Sequence, residues 1–243
     1  MQEIKAYIEM YNKKYDSHPL FIFLKDSSID PRKRLAIAPC IAHFSMSFAD
    51  LNRYVYRDFE SIDIFQEIIN EHTIEDSKHS VWFLNDIKRL GFDQPMSFAE
   101  SMAFLWGKDT IGIRRTTYDF CASIRYATSF ERYIVLEAIE GNGFEFFTAT
   151  CKAAEDLSLL TGEKYIYFGQ HHLKMETGHA TGETFLRLKE EVDNYKPSDE
   201  QREKALKLID RSYEIFTRFN DDMYNYASKY NVGDNIIKRK ENI

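Results

Sequence analysis

Glycine and proline are scarce in this chain of 243 residues, at 10 and 5. So few turn-formers exclude an all-β fold with its many tight connections, and 44% hydrophobic residues exclude a disordered chain. The three cysteines, Cys40, Cys121 and Cys151, are odd in number and form no C-x-x-C pair. That excludes a disulfide framework and a Cys-rich zinc site, and fits a reducing compartment. No apolar run approaches the ~18–20 residues of a membrane span. The amphipathic start, residues 1–14, lacks the apolar core of a signal peptide. A cytoplasmic protein is expected. Basic residues are also in deficit, 32 against 39 acidic, for a net charge of −7. No electrostatic footprint for nucleic acid results, because Pro31-Arg32-Lys33-Arg34 and Lys238-Arg239-Lys240 are short and isolated.

What is abundant is aromatic: 19 Phe and 15 Tyr, enough for a sizeable core. No linker interrupts residues 1–243, so one domain is expected. Apolar residues recur at threes and fours, and the breaks fall at start and stop signals. The spacing predicts helices over 2–15, from Asp30-Pro31 to about Arg57 with a kink or a restart at Pro39, and from Ile64 to Leu90. Further helices are expected over 97–106, 110–128, from Ser129 towards Leu159, through the segment after Gly162, and from Ser198 to about Tyr230. Two glycines in Gly141-Asn142-Gly143 cost a helix roughly 1 kcal/mol each, which points to a bend, or a close approach by a ligand, beside Glu140. The fold class read from this pattern is all-α, a single bundle of seven or more helices.

The chemistry concentrates in two stretches. In Gln170–His179, His172, Glu176 and His179 stand four and three residues apart. At about 100° per residue, their side chains share one helical stripe about 60° wide. A hundred residues earlier, His72, Asp76 and His79 repeat the same spacing. Two such stripes can face one another across a bundle, and Glu140, with Glu137 one turn before it, can supply a bridging carboxylate. Imidazole and carboxylate together suit a non-heme iron that keeps coordination positions open. The candidate ligands are therefore His72, His79, Glu140, His172, Glu176 and His179, with Glu75, Asp76 and Glu137 as alternative or supporting carboxylates. His171 points about 100° away from His172. Arg114, Arg115 and Arg125 either ring a pocket mouth, where a guanidinium pairs with a substrate carboxylate, or face water. Phe144, Phe147 and Phe168 either line an apolar substrate pocket or simply pack.

The pattern Glu140…His172-x-x-x-Glu176-x-x-His179, with His79 on an earlier helix, resembles the heme-oxygenase-like diiron oxidases and oxygenases. The resemblance covers roughly residues 20–230. It implies a seven-helix domain holding two Fe(II) ions between three core helices, with O2 as co-substrate. The chain departs from that pattern at His72, where the family usually has glutamate; Glu71, Glu75 and Asp76 lie nearby. This departure, with His-x-x-Glu-Asp-x-x-His and Trp-Phe-Leu-Asn-Asp, is most similar to the branch containing a cyanobacterial nitrile synthase. That implies oxidation of a small amino-acid-like substrate, of the (halo)tryptophan type, to a nitrile. No nucleic-acid or membrane partner is expected, and a homodimer is left open.

Three other readings compete. Metal-free thiaminase-like hydrolases and cofactor-free oxidases share such a fold but call for an activated cysteine or a cationic pocket; Cys121 and Cys151 lack a nucleophile–base pattern. A ferritin-like diiron protein would use Asp76-x-x-His79, Glu140, Glu176-x-x-His179 and Asp50, and leaves His72 and His172 unexplained. A metal-binding protein without O2 chemistry is the last.

Overall fold

A computed structural model describes residues 1–178 and 183–233, apart from the side chains of Ser77, 176–178 and 183–185. All regular structure among the described residues is helical. Its axis is α9 (Ser129–Thr161), a 33-residue helix with buried residues on most of its circumference. It starts at a capping box between Thr128 and Glu131 and stops at Gly162, whose φ of +75° supplies the left-handed turn. Against α9 pack α1 (Gln2–Tyr15), α2 (Pro19–Lys25), α5 (Ile64–Glu75), α10 (Gln170–Gly178) and α12 (Asp199–Ser228). A second group, α4 (Ala42–Leu51), α6 (His79–Arg89) and α8 (Ile111–Ile124), closes the other side, with α4 touching both α6 and α8.

Local signals account for most ends. His18 caps α2 through its Nδ1, which accepts from Leu20 N at 3.2 Å before Pro19 opens the helix. Asp30 caps α3 (Pro31–Arg34), and Asp63 caps α5 by accepting from Phe65 N and Gln66 N. Ser97 with Glu100 opens α7 (Phe98–Leu105), and Ser198 with Gln201 opens α12. A short α11 (Glu183–Asn194) packs on α5.

Two long helical stretches are broken, the first around Pro39, where a kink or a restart is expected, and both breaks shape the site. The helix expected from Pro31 to Arg57 stops at Arg34, passes through a 3-10 turn over Leu35–Ile37, and restarts at Ala42. Pro39, which has no N–H to donate, sits in the gap. After α4 the winding loosens to a π turn over Asn52–Tyr56, with Arg57 N donating to Asn52 O at 3.1 Å. The helix expected over 64–90 is cut by a 3-10 turn, Asp76–Lys78. Three residues wound at 120° instead of 100° turn the start of α6 by about 60°, so His79 no longer continues the stripe of His72.

Helix α9 runs uninterrupted through the glycine pair, and what approaches it there is other helices of the chain. A Cβ on Gly141 would lie 2.8 Å from Asn12 Nδ2, 3.0 Å from the Tyr213 hydroxyl and 3.1 Å from Ile8 Cγ2. Gly141 is thus the point where α1 and α12 close on α9. A Cβ on Gly143 meets nothing within 4 Å. Gly143→Ala is expected to stabilise the protein by about 0.5–1 kcal/mol. Gly141→Ala is expected to destabilise it by about 1–3 kcal/mol through overpacking. Urea unfolding of the two variants checks the opposite signs, and equal effects would refute the assignment.

Candidate metal centre

Three donors from two helices meet beneath α9. His72 comes from the last turn of α5, Asp76 from the break immediately after it, and Glu140 from the middle of α9. One ligand atom from each lies within 4.8 Å of the others. His72 Nε2 is 3.1 Å from Glu140 Oε1 and 3.4 Å from Asp76 Oδ2. Asp76 also reaches forward, its Oδ1 being 3.8 Å from His79 Nδ1. His72, Asp76 and His79 are buried, and Glu140 is half-buried.

His79 then carries the site to α10. Its ring lies 4.2 Å, centroid to centroid, from that of His172, which is fully buried. His172 Nδ1 is 2.8 Å from Tyr167 O. A carbonyl only accepts, so Nδ1 holds the proton and Nε2 presents the lone pair, the tautomer a ligating histidine needs. Tyr167 is held in turn: Asp86, wholly buried on α6, accepts from the N–H groups of Ile166 at 3.0 Å, Tyr167 at 2.8 Å and Phe168 at 3.1 Å. Burial raises the Asp86 pKa while these donors pull it back. One helix, α6, therefore bears His79 at its start and fixes the loop of His172 from its second turn onward.

The electrostatics favour a cation. Burial works against charge on His72, but Glu140 and Asp76 outweigh it and hold the imidazole pKa well above its usual 6.5. A buried and a half-buried carboxylate so close together need positive charge between them. Protonated His72 supplies it here, and a divalent cation would supply more while releasing that proton. The donor set, imidazole with carboxylates and no thiolate, fits iron by its chemistry.

The π turn adds two groups that no spacing rule picked out. Asn52 Nδ2 donates to Asp76 Oδ2 at 3.1 Å, and its Oδ1 is buried without a hydrogen-bond partner. Tyr56 is completely buried, its hydroxyl likewise unpartnered; burial and the charge of Glu140 raise its pKa. An i→i+5 turn at a functional site is a recurring device. It is invisible to a 3.6-residue reading.

Asp76, His79 and Glu140 open onto a cavity of about 70 Å³. Phe44, Phe48, Phe146, Phe147, Phe216 and Phe219 dominate its wall. Polar groups there are few: Ser45 and Tyr167, whose hydroxyls are 3.0 Å apart, and Asn142, whose Oδ1 accepts from Asn220 at 3.4 Å. Among the described residues, no lysine or arginine lines it.

The remaining sequence candidates sit elsewhere. Arg114 is spent on backbone and a hydroxyl, donating to Leu105 O at 2.6 Å, Gly107 O at 3.2 Å and Thr110 Oγ1 at 2.8 Å. Arg115 and Arg125 are exposed, the latter stacked on Tyr126. Glu75 is exposed, and Glu137 faces a separate, open cleft that Phe144 also lines. Phe147 lines the cavity and Phe168 is core. His171 is exposed with its ring 5.0 Å from Trp82, and Asp50 is exposed outside the cluster. Burial raises the thiol pKa of Cys121, and burial with Glu155 pushes Cys151 up to about 11, the opposite of an activated nucleophile. Glu176, by its side chain, and His179 lie outside the described residues. No helix among the described residues is long and apolar enough to cross a membrane. Compared with known proteins, the chain matches no family model and no curated protein, so the metal reading rests on these residues and their geometry.

Proposed function

We propose that the chain is an O2-dependent non-heme diiron oxidase or oxygenase acting on a small organic substrate. The observation that carries this is the buried meeting of His72, Asp76 and Glu140, continued by His79 and His172, at the end of a phenylalanine-lined cavity. One iron would be held by His72, Asp76 and Glu140, and a second by His79 and His172 with Glu176 and His179. Iron at such a site supplies the electrons that couple O2 reduction to oxidation of a neighbouring organic molecule. The chain's own part is to hold Asp76 through Asn52, to set the His172 tautomer through Tyr167, and to keep water out with the phenylalanine wall.

Within this class we propose an aromatic amino acid of the tryptophan type, converted to a nitrile. The phenylalanine wall matches the apolar character of its ring, and the cavity, at about 70 Å³, must widen to admit it. Among the described residues no arginine lines the cavity to receive its carboxylate. Anaerobic iron(II) titration tests the reading: two ions per chain, fewer with Glu140→Ala, and O2 uptake that depends on iron and is accelerated by one amino acid. Failure of the wild-type chain to take up iron would overturn it.

A further inference from the structure

Gly143 carries a cost that the fold does not explain. Glycine weakens a helix interior relative to alanine, and Gly143 lies near the middle of α9, half-buried. At Gly141 packing accounts for the choice, because Asn12, Tyr213 and Ile8 leave no room for a Cβ. At Gly143 no neighbour does so: a Cβ there would point into open space, with nothing within 4 Å. That space belongs to the phenylalanine cavity, which Gly143 lines. If it served packing alone, alanine would fill part of it and strengthen the helix at once.

The place of Gly143 on the helix gives the gap a meaning. Glu140, Gly143, Phe146 and Phe147 all line the cavity, at steps of three and four that put them on one face of α9. At 1.5 Å per residue, Gly143 stands about 4.5 Å along the axis from Glu140 and about 6 Å from Phe147. The face thus runs from a candidate metal ligand, over bare backbone, to a ring whose centroid lies 3.8 Å from that of His172. Among the described residues that line the cavity, Gly143 is the one without a side chain. Elsewhere the wall is made of rings that must turn to admit a ligand; at Gly143 the room is already there.

We propose that Gly143 determines specificity: its bare backbone is a ledge on which a planar aromatic ring of the substrate lies, one turn from Glu140. This rests on the reading of the cavity as the substrate site. Close approach of backbone to ligand is a use that only glycine serves without a clash. The surroundings fix the class of ligand. Phe44 and Phe219 are 5.0 Å apart, Phe44 and Phe48 5.8 Å, and Phe146 and Phe147 5.2 Å, all within the 4.5–7 Å range of paired rings. One more ring joins the same cluster. Asn142, next to Gly143, gives the ledge a polar edge. Its Oδ1 accepts from Asn220 at 3.4 Å and has a second lone pair for the N–H of a heteroaromatic ring.

Binding of 5-fluoroindole to the full chain, read by the shift and width of its fluorine NMR line, tests this without turnover. The wild type is expected to bind it, and Gly143→Ala to bind it about tenfold or more weakly, because a methyl group then occupies the ledge. The same variant should resist urea better than the wild type, so that weaker binding cannot come from a damaged fold. Phe144→Ala, altered in the ring that lines the separate cleft, should bind like the wild type. Equal affinity in Gly143→Ala and wild type, lower stability of Gly143→Ala, an equal loss in Phe144→Ala, no binding by the wild type, or tighter binding of cyclohexanemethanol would each overturn the ledge. The diiron reading fails separately. A chain that takes up no iron yet keeps its Gly143-dependent binding would lose the oxidase and retain the ledge.

Discussion

Asp86→Asn is expected to lower stability by about 2–4 kcal/mol and to loosen the site at the same time. The carboxylate is wholly buried and accepts three backbone N–H groups from the loop that precedes α10. An amide of the same size keeps one oxygen and turns the other position into a donor facing an N–H. At least one buried backbone donor then loses its partner. The consequence passes along the chain. Tyr167 gives its N–H to Asp86 and takes the His172 Nδ1 proton on its carbonyl, so a displaced loop misdirects the His172 ring.

Groups that orient a metal-ligating histidine typically change metal affinity 10–100-fold when removed. Two readouts therefore separate the roles. Urea denaturation of the metal-free chain reports the loop, and iron affinity below the unfolding transition reports His172. Loss of stability with unchanged affinity would confine Asp86 to structure. No change in either would mean that the loop holds itself.

The second large effect is expected at Arg34, a completely buried guanidinium remote from the site. It donates to Leu24 O at 3.0 Å, Ile29 O at 3.1 Å and Asp156 Oδ2 at 2.6 Å. It thereby ties the end of α2 and the turn before α3 to the C-terminal half of α9. Arg34→Met keeps most of the apolar stem but leaves two carbonyls without their donor, for an expected loss of about 2–4 kcal/mol.

The pH profile should change with it. Hydrogen bonding from Arg34, then from Lys152, lowers the Asp156 pKa from 3.8 to about 2. A carboxyl depressed in the folded state contributes stability above its unfolded pKa and loses that contribution as pH falls through the folded value. Wild-type stability should therefore decline between about pH 4 and pH 2 in part through Asp156, and the Arg34→Met profile should be flatter there. Asp156 is partly exposed, so solvent screens the pair and most of the variant's cost comes from the orphaned carbonyls. Parallel profiles for the two proteins would rule out the linkage.

The site was legible to different depths at different residues. His72, Asp76, His79, Glu140 and His172 carry their meaning in spacing, because a helix converts steps of three and four into a common face. Even so, the resemblance to the diiron oxidases ranked Asp76 below His79 as a ligand, and the structure brings Asp76 together with His72 and Glu140. Asp76, four residues after His72, stays on its face, while the 3-10 turn over Asp76–Lys78 comes between it and His79. Asn52 and Tyr56 were missed for a related reason: they reach the centre through a π turn, whose register breaks the periodicity by which a helix is read. The arginines show the converse. Their charge invited a substrate role, and Arg114 instead serves carbonyls at a helix end, a use that depends on where the chain returns in space.

Local sequence was enough to set the helical class, most helix starts, the apolar stripe of α12 and the residue types of the candidate metal site. Those depend on capping and periodicity, which act within a few residues. Long-range packing decided that Asp76 joins His72 and Glu140, that Asp86 governs the His172 loop, and that Gly141 receives α1 and α12. Each of these depends on contacts between residues tens to hundreds of positions apart, where burial and packing override local preference.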